Sequence, residues 1–198
     1  MMEAFTNRQQ DGAVIHAFSS FPGYYSWTDS KVSATIRKYA KTFCDEYPIN
    51  QKDNEAGIPG ILIGRYPGDV YAGGNPWQLL TAVLAELFYK GATAMTQHNF
   101  VLEAEDKKEW SLLFNLPETA SQSDIAMAAA KAGDAVLFRL WKYVKNDNGH
   151  INEQIEKNNG KQTSAEDLTW SYANILTALH YRSTHLSGLL GPLKEVVM

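Results

Sequence analysis

Apolar residues recur at three- and four-residue steps through much of this chain, the period that sets one face of a helix against a core. Trp77, Leu80, Leu84, Leu87 and Phe88 form one such stripe. Asn75-Pro76 predicts its start, with Asn as N-cap and Pro at the first helical position, and Gly91 predicts its end. A second helix is predicted from Ser121, whose capping box is completed by Asp124. Its apolar line is Ile125, Ala128, Ala132, Val136, Leu140 and Tyr143. A third is predicted from Ser164, boxed by Asp167, and carries Leu168, Tyr172, Ile175, Leu176 and Leu179. Asp29 to about Glu46 reads as a fourth, with Val32, Ile36, Tyr39 and Phe43 on one face and Pro48 beyond its end. A shorter helix is predicted over Lys107 to Asn115.

Strand signals are few. Ile61-Leu62-Ile63 before Gly64 is one short apolar run, and Ala13 to Ala17 is another. The class is therefore all-α, in one domain over residues 1–198. Two connections, roughly 48–74 and 146–163, are rich in Gly, Asn, Asp, Tyr and Arg. They exceed the roughly 2 to 8 residues that join helices in a simple bundle. Long loops on a helical scaffold are where function concentrates.

Composition narrows the function. Hydrophobic residues make up 44% of the 198, enough for a packed core. The net charge of -4 is scattered, which argues against nucleic acid, a partner that needs clustered Lys and Arg. No apolar run approaches a membrane span, so no membrane partner is expected. The start, MMEAFTNRQQDG, has neither an apolar signal core nor a basic leader, and the compartment stays open. The single cysteine, Cys44, excludes an intrachain disulfide.

The five histidines, 16, 98, 150, 180 and 185, lack zinc-ligand spacing and read as structural residues. Neither a metal nor a cofactor is expected. Gly73-Gly74 reads as a sharp turn, because no phosphate-binding Lys-Ser/Thr follows it. In GRYPGDVYAGGNPW, residues 64–77, Arg65 and Asp69 stand four apart. Arg65 could face sugar hydroxyls or a carboxylate, or the pair could simply brace the loop. Glu153, in the second long loop, could be a functional carboxylate or a solvated one.

The stretch GRYPGDVYAGGNPW, with the amphipathic helix after it, and the later INEQIEKNNGKQTSAEDLTWSYANILTA resemble two signature stretches of fungal glucoamylases. These are inverting exo-acting glucosidases whose catalytic domain is an (α/α)6 barrel. The resemblance runs from Gly12 to Arg182, in the C-terminal half of that domain. It implies that Glu153 is the general base and that Gln154 helps fix a sugar hydroxyl. It implies that Arg65, Asp69, Tyr71 and Trp77 line the substrate pocket, and that Ser164 stands beside the base. The substrate implied is the non-reducing end of an α-glucan or maltooligosaccharide.

One departure matters. Inverting hydrolysis uses two carboxyls about 6.5–9.5 Å apart, one acid and one base. In the family the acid lies well upstream of the Gly64 stretch. Glu3, Glu46 and Glu55 stand in no context resembling it. The expectation is therefore an incomplete barrel that needs a missing N-terminal half as partner. The alternative is a catalytically silent chain that at most binds sugar or a partner. Val83, Leu87, Leu176 and Leu179 are the positions expected to be uncovered in such a half-barrel.

Overall fold

The computed structural model describes residues 10–145 and 147–191. Glu3 and the start of the chain lie outside the described residues. Eight helices are described: α1 (Ala13–Ser20), α2 (Ser30–Glu46), α3 (Pro48–Glu55), α4 (Gln78–Met95), α5 (Ala104–Leu113), α6 (Gln122–Val144), α7 (Thr169–His185) and α8 (Ser187–Leu190). Two short antiparallel strands, β1 (Gln154–Ile155) and β2 (Gln162–Thr163), sit in the loop between α6 and α7. The all-α expectation holds. None of the described helices is long and apolar enough to cross a membrane.

Helix α4 is the axis of the packing. It lies against α6, α7 and α1, while α2 packs on α5 and α3. Sixteen of its eighteen residues are buried, including the polar Gln78, Thr81 and Glu86. A helix apolar on nearly all sides belongs inside a protein rather than on its surface. Val83 and Leu87 are accordingly buried at 1% and 0%, contrary to the expectation that they would be uncovered. Leu176 on α7 is exposed at 62%, and Leu179 is partly buried.

Several helix ends differ from the sequence-based expectation. Helix α4 begins at Gln78, with Trp77 rather than Asn75 at the cap position. Asn75 is buried instead, and its amide is used across the loops. Gly91 lies inside α4, where the Trp110 indole packs so closely that an added Cβ would meet Cη2 at 3.0 Å. It is a close-approach glycine, not a cap. The Ser121–Asp124 capping box is present as expected, with both reciprocal bonds. The Ser164–Asp167 box is absent, because α7 starts at Thr169 and both residues have positive φ.

Pro48, read as lying beyond a helix, starts α3 as its first residue. There its missing N–H costs nothing. Ala13 to Ala17 is helical, not extended. The run Ile61-Leu62-Ile63 is buried but forms no strand. Its backbone is paired outside any named strand: Asn50 pairs with Leu62 at both N–H and carbonyl, Thr81 Oγ1 accepts from Ile63 N at 3.0 Å, and Ile63 O accepts from the Trp77 N–H. Once those partners exist, no sheet is required.

Candidate active site

The two long loops meet at the N-terminus of α4. The Trp77 N–H donates to Ile63 O at 2.9 Å, and Trp77 forms an antiparallel bridge with Gln154. Gln78 N–H donates to Glu153 O at 3.0 Å, and Ile155 N–H to Pro76 O at 3.1 Å. Residues 75–78 thus act as a third edge beside β1. Asn75 completes the join: its Nδ2 donates to Gln154 Oε1 at 3.2 Å, and its Oδ1 accepts from Lys157 N at 3.2 Å. This pairing brings Trp77 at the end of the first loop beside Gln154 of the second, while Arg65 and Tyr71 lie against the Trp77 ring.

Within the first loop, Arg65 and Asp69 form a two-pronged pair, Nε to Oδ2 at 2.8 Å and Nη2 to Oδ1 at 2.7 Å. The Asp69 side chain is 2% exposed, and Arg65 is 31% exposed. Burial alone would raise the Asp69 carboxyl. The Arg65 fork and the Tyr71 N–H outweigh burial and hold it below its ordinary value. The bond to Asp69 in turn raises the Arg65 pKa. The guanidinium carbon lies 4.8 Å from the Tyr71 ring centroid and 5.2 Å from those of Tyr66 and Trp77. That aromatic collar fixes the fork. Three of its five N–H groups are left outside the Asp69 pair. The turn that closes this loop requires glycine: Gly74 has φ +64, and a Cβ there would sit 1.8 Å from Asp69 O.

In the second loop the Glu153 carboxylate is held from two sides. Ser164 Oγ donates to Oε2, and Gln154 Nε2 donates to the same oxygen at 3.1 Å. The Glu153 N–H donates to Ala165 O at 2.9 Å, which fixes the backbone as well. Gln154 is fully buried, with its amide shared between Asn75 and Glu153. Gln162 ties the loop to α4: its Oε1 accepts from Gln78 Nε2 at 2.7 Å and from Asn152 N at 3.0 Å. At the loop's outer end, His150 and Tyr172 both engage Asp167. The bond to Asp167 raises the exposed His150 imidazole above its ordinary pKa. The Tyr172 and His150 bonds lower that of Asp167.

An open groove of about 500 Å³ runs beside Arg65 and Trp77. His16 from α1 and Trp170 from the first turn of α7 also line it. The volume falls in the range of small-ligand sites. Glu153 is not among the lining residues; its carbonyl binds Gln78, next to the groove residue Trp77. Sequence reasoning missed His16 and Trp170. Trp170 stands in the quoted SAEDLTWSY motif, but nothing in its spacing said that it would line a groove with Arg65. Among the described residues, no group of three or more His, Cys, Asp or Glu could hold a metal ion.

Known proteins resemble this chain over most of its length. The profile of the glycosyl hydrolases family 15 matches residues 7–180. A glucoamylase of Blastobotrys adeninivorans is 30% identical over 189 residues, covering 85% of this chain and 30% of that protein. Glucoamylase P of Amorphotheca resinae is 34% identical over 171 residues, 78% of this chain and 26% of that one. Among solved structures, the family 15 glucoamylase of Hypocrea jecorina superposes with a TM-score of 0.77 at 26% identity, over 92% of this chain and 33% of that chain. The Hormoconis resinae glucoamylase gives 0.76 at 27% identity, over 92% and 34%. The chain spans about a third of the length of the relatives it matches. Its helices match part of their (α/α)6 barrel. With the profile covering most of the sequence, this chain belongs to the glycosyl hydrolases of family 15.

Proposed function

We propose that this chain carries the water-activating side of an inverting α-glucan hydrolase that releases glucose from non-reducing ends. The observation that carries the reading is the Glu153 carboxylate. It is held by Ser164 Oγ and Gln154 Nε2 on one oxygen, Oε2, which leaves Oε1 to take a proton. As general base, Glu153 removes a proton from the water that attacks the anomeric carbon. Ser164 and Gln154 orient the carboxylate. Arg65, locked by Asp69 and collared by Tyr71 and Trp77, presents its remaining N–H groups to sugar hydroxyls. Trp77 supplies an aromatic face for the sugar ring.

The general acid belongs, on this reading, to the upstream portion of a family 15 catalytic domain, which is the partner that completes the pocket. The alternative of a silent chain that at most binds sugar or a partner is the weaker reading, because the Glu153 carboxylate keeps two donors on one oxygen. The test is glucose release from maltotriose by the purified chain, alone and mixed with the upstream portion of a relative's catalytic domain. Little turnover is expected from the chain alone. The mixture should release glucose, and Glu153→Gln should lower that rate by about 10²–10⁴, the usual contribution of a positioned acid or base. Turnover in the mixture that is unaffected by Glu153→Gln would overturn the role of Glu153. Robust turnover by the chain alone that is lost in Glu153→Gln would overturn the assignment of the acid to a partner.

A further inference from the structure

We infer that His16 is a sugar-contacting residue of the groove that Arg65 also lines, offering its Nε2 to a substrate hydroxyl. The inference rests on the sugar-site reading above. Helix α1 has two stripes. Val14, Ile15, Phe18 and Ser19 are buried and anchor the helix to the core. Ala13, His16 and Ala17, at the i, i+3, i+4 spacing of a second face, line the groove. Two of those three side chains are methyl groups. They open space on either side of the one that can hydrogen-bond.

The imidazole is positioned rather than loose. Its Nδ1 is 3.2 Å from Ser20 Oγ, one helical turn on. Its ring meets Trp170 edge-on, with centroids 6.1 Å apart and planes at 68°. With Nδ1 engaged by Ser20, Nε2 is the nitrogen left for a ligand. The Arg65 fork and the Trp77 ring line the same groove. Sugar sites combine an aromatic face with a few fixed hydrogen-bonding groups, and this groove is lined by two Trp rings, an imidazole and a guanidinium. A lone imidazole on a surface helix would ordinarily be solvated. Here Asp11, Arg65 and both indoles share its cavity.

The test follows maltotriose binding by the full chain, through the indole N–H signals of its five tryptophans in a nuclear magnetic resonance titration. The variants are His16→Phe, which keeps a ring and removes both nitrogens, and His16→Gln, which restores a donor and an acceptor at similar reach. Arg65→Met tests the sugar site itself. Binding by the unaltered chain that weakens in Arg65→Met is expected. His16→Phe should weaken binding about tenfold, the worth of one hydrogen bond to a ligand, with an unchanged melting curve. His16→Gln should stay within about threefold of the unaltered chain, since a restored hydrogen bond recovers most of that factor. Binding unchanged in His16→Phe, or weakened as much in His16→Gln, overturns the role of His16 and leaves the sugar site standing. Absence of binding by the unaltered chain, both alone and with the upstream portion of a relative's catalytic domain added, overturns the sugar-site reading and the His16 inference with it.

Discussion

Ser164 sits at φ +67, in the left-handed region that side chains other than Gly, Asn and Asp seldom occupy. In the sequence it reads as an N-cap, because Ser followed three residues on by Asp is the capping signature. What the sequence cannot carry is the competing partner. The Glu153 carboxylate takes the Ser164 hydroxyl, and Asp167 is taken by His150 and Tyr172. The helix then starts five residues later. Asp69 shows the opposite case, since its spacing to Arg65 already suggested a brace, and the brace is there. Its energetics give a pH dependence. The folded carboxyl lies below its ordinary value of 3.8, so the pair contributes stability that is fully present above that value and is lost as pH falls through the folded one. Asp69→Asn should therefore cost about 1–3 kcal/mol in urea denaturation at pH 7, the range for a broken hydrogen bond to a charge. That difference should shrink as the pH is taken below the carboxylate range. A gap that stays constant down to acid pH would mean that the charge of Asp69 contributes nothing.

At the scale of elements, the helices with long apolar stripes were legible: α2, α4 and α6 stand where their periodicity put them. The eight-residue helices α1 and α3 were not. A short apolar run such as Ala13 to Ala17 fits a strand or one side of a helix equally well, and length is what separates them. Pro48 ends one helix by starting another, so one residue carried two opposite meanings. The α6 stripe was also partly misplaced. Its core face uses Ala126, Ala129, Ala130 and Gly133 beside Val136 and Leu140, while Ala128 and Ala132 are only partly buried. Small residues there let α4 come close, which a stripe drawn through the larger side chains does not show. Gly133 is the sharpest instance. A Cβ at that position would lie 2.4 Å from Tyr89 Cε1. The ring cannot retreat easily, because its hydroxyl donates to Asp134 at 2.7 Å and Asp134 also pairs with Arg182. Alanine in a helix normally gains about 1 kcal/mol over glycine. Overpacking costs about 1–3 kcal/mol, and the pinned ring puts this site at the upper end. Gly133→Ala should thus destabilise by about 1–2 kcal/mol, the excess of the second figure over the first. A rise in melting temperature would show that Tyr89 can move.

At the scale of the molecule, the packing has one covered side and one open side. Helix α4 is enclosed by α1, α6 and α7, so its apolar residues have partners within this chain. Helix α7 is different. It turns Ser171, Ala178 and Arg182 to the core and leaves Leu176 at 62% exposure. A largely apolar cavity of about 240 Å³ lies between it and α6, lined by Leu137, Leu140, Trp141, Ile175, Leu176 and Leu179. Two substitutions separate the sides. Leu87→Ala removes a side chain with no exposure and should cost about 2–5 kcal/mol, as large-to-small changes in packed cores do. Leu176→Glu alters a side chain that is already mostly in water. It should change stability by no more than about 0.5 kcal/mol, the usual limit for surface positions. It should also lower the fluorescence of a hydrophobic dye bound to the chain, because it places a carboxylate at the rim of that cavity. Equal costs in the two variants would mean that the α6–α7 side is as closed as the centre of α4. The relatives' barrel, part of which this chain matches, would then be opened along some other face.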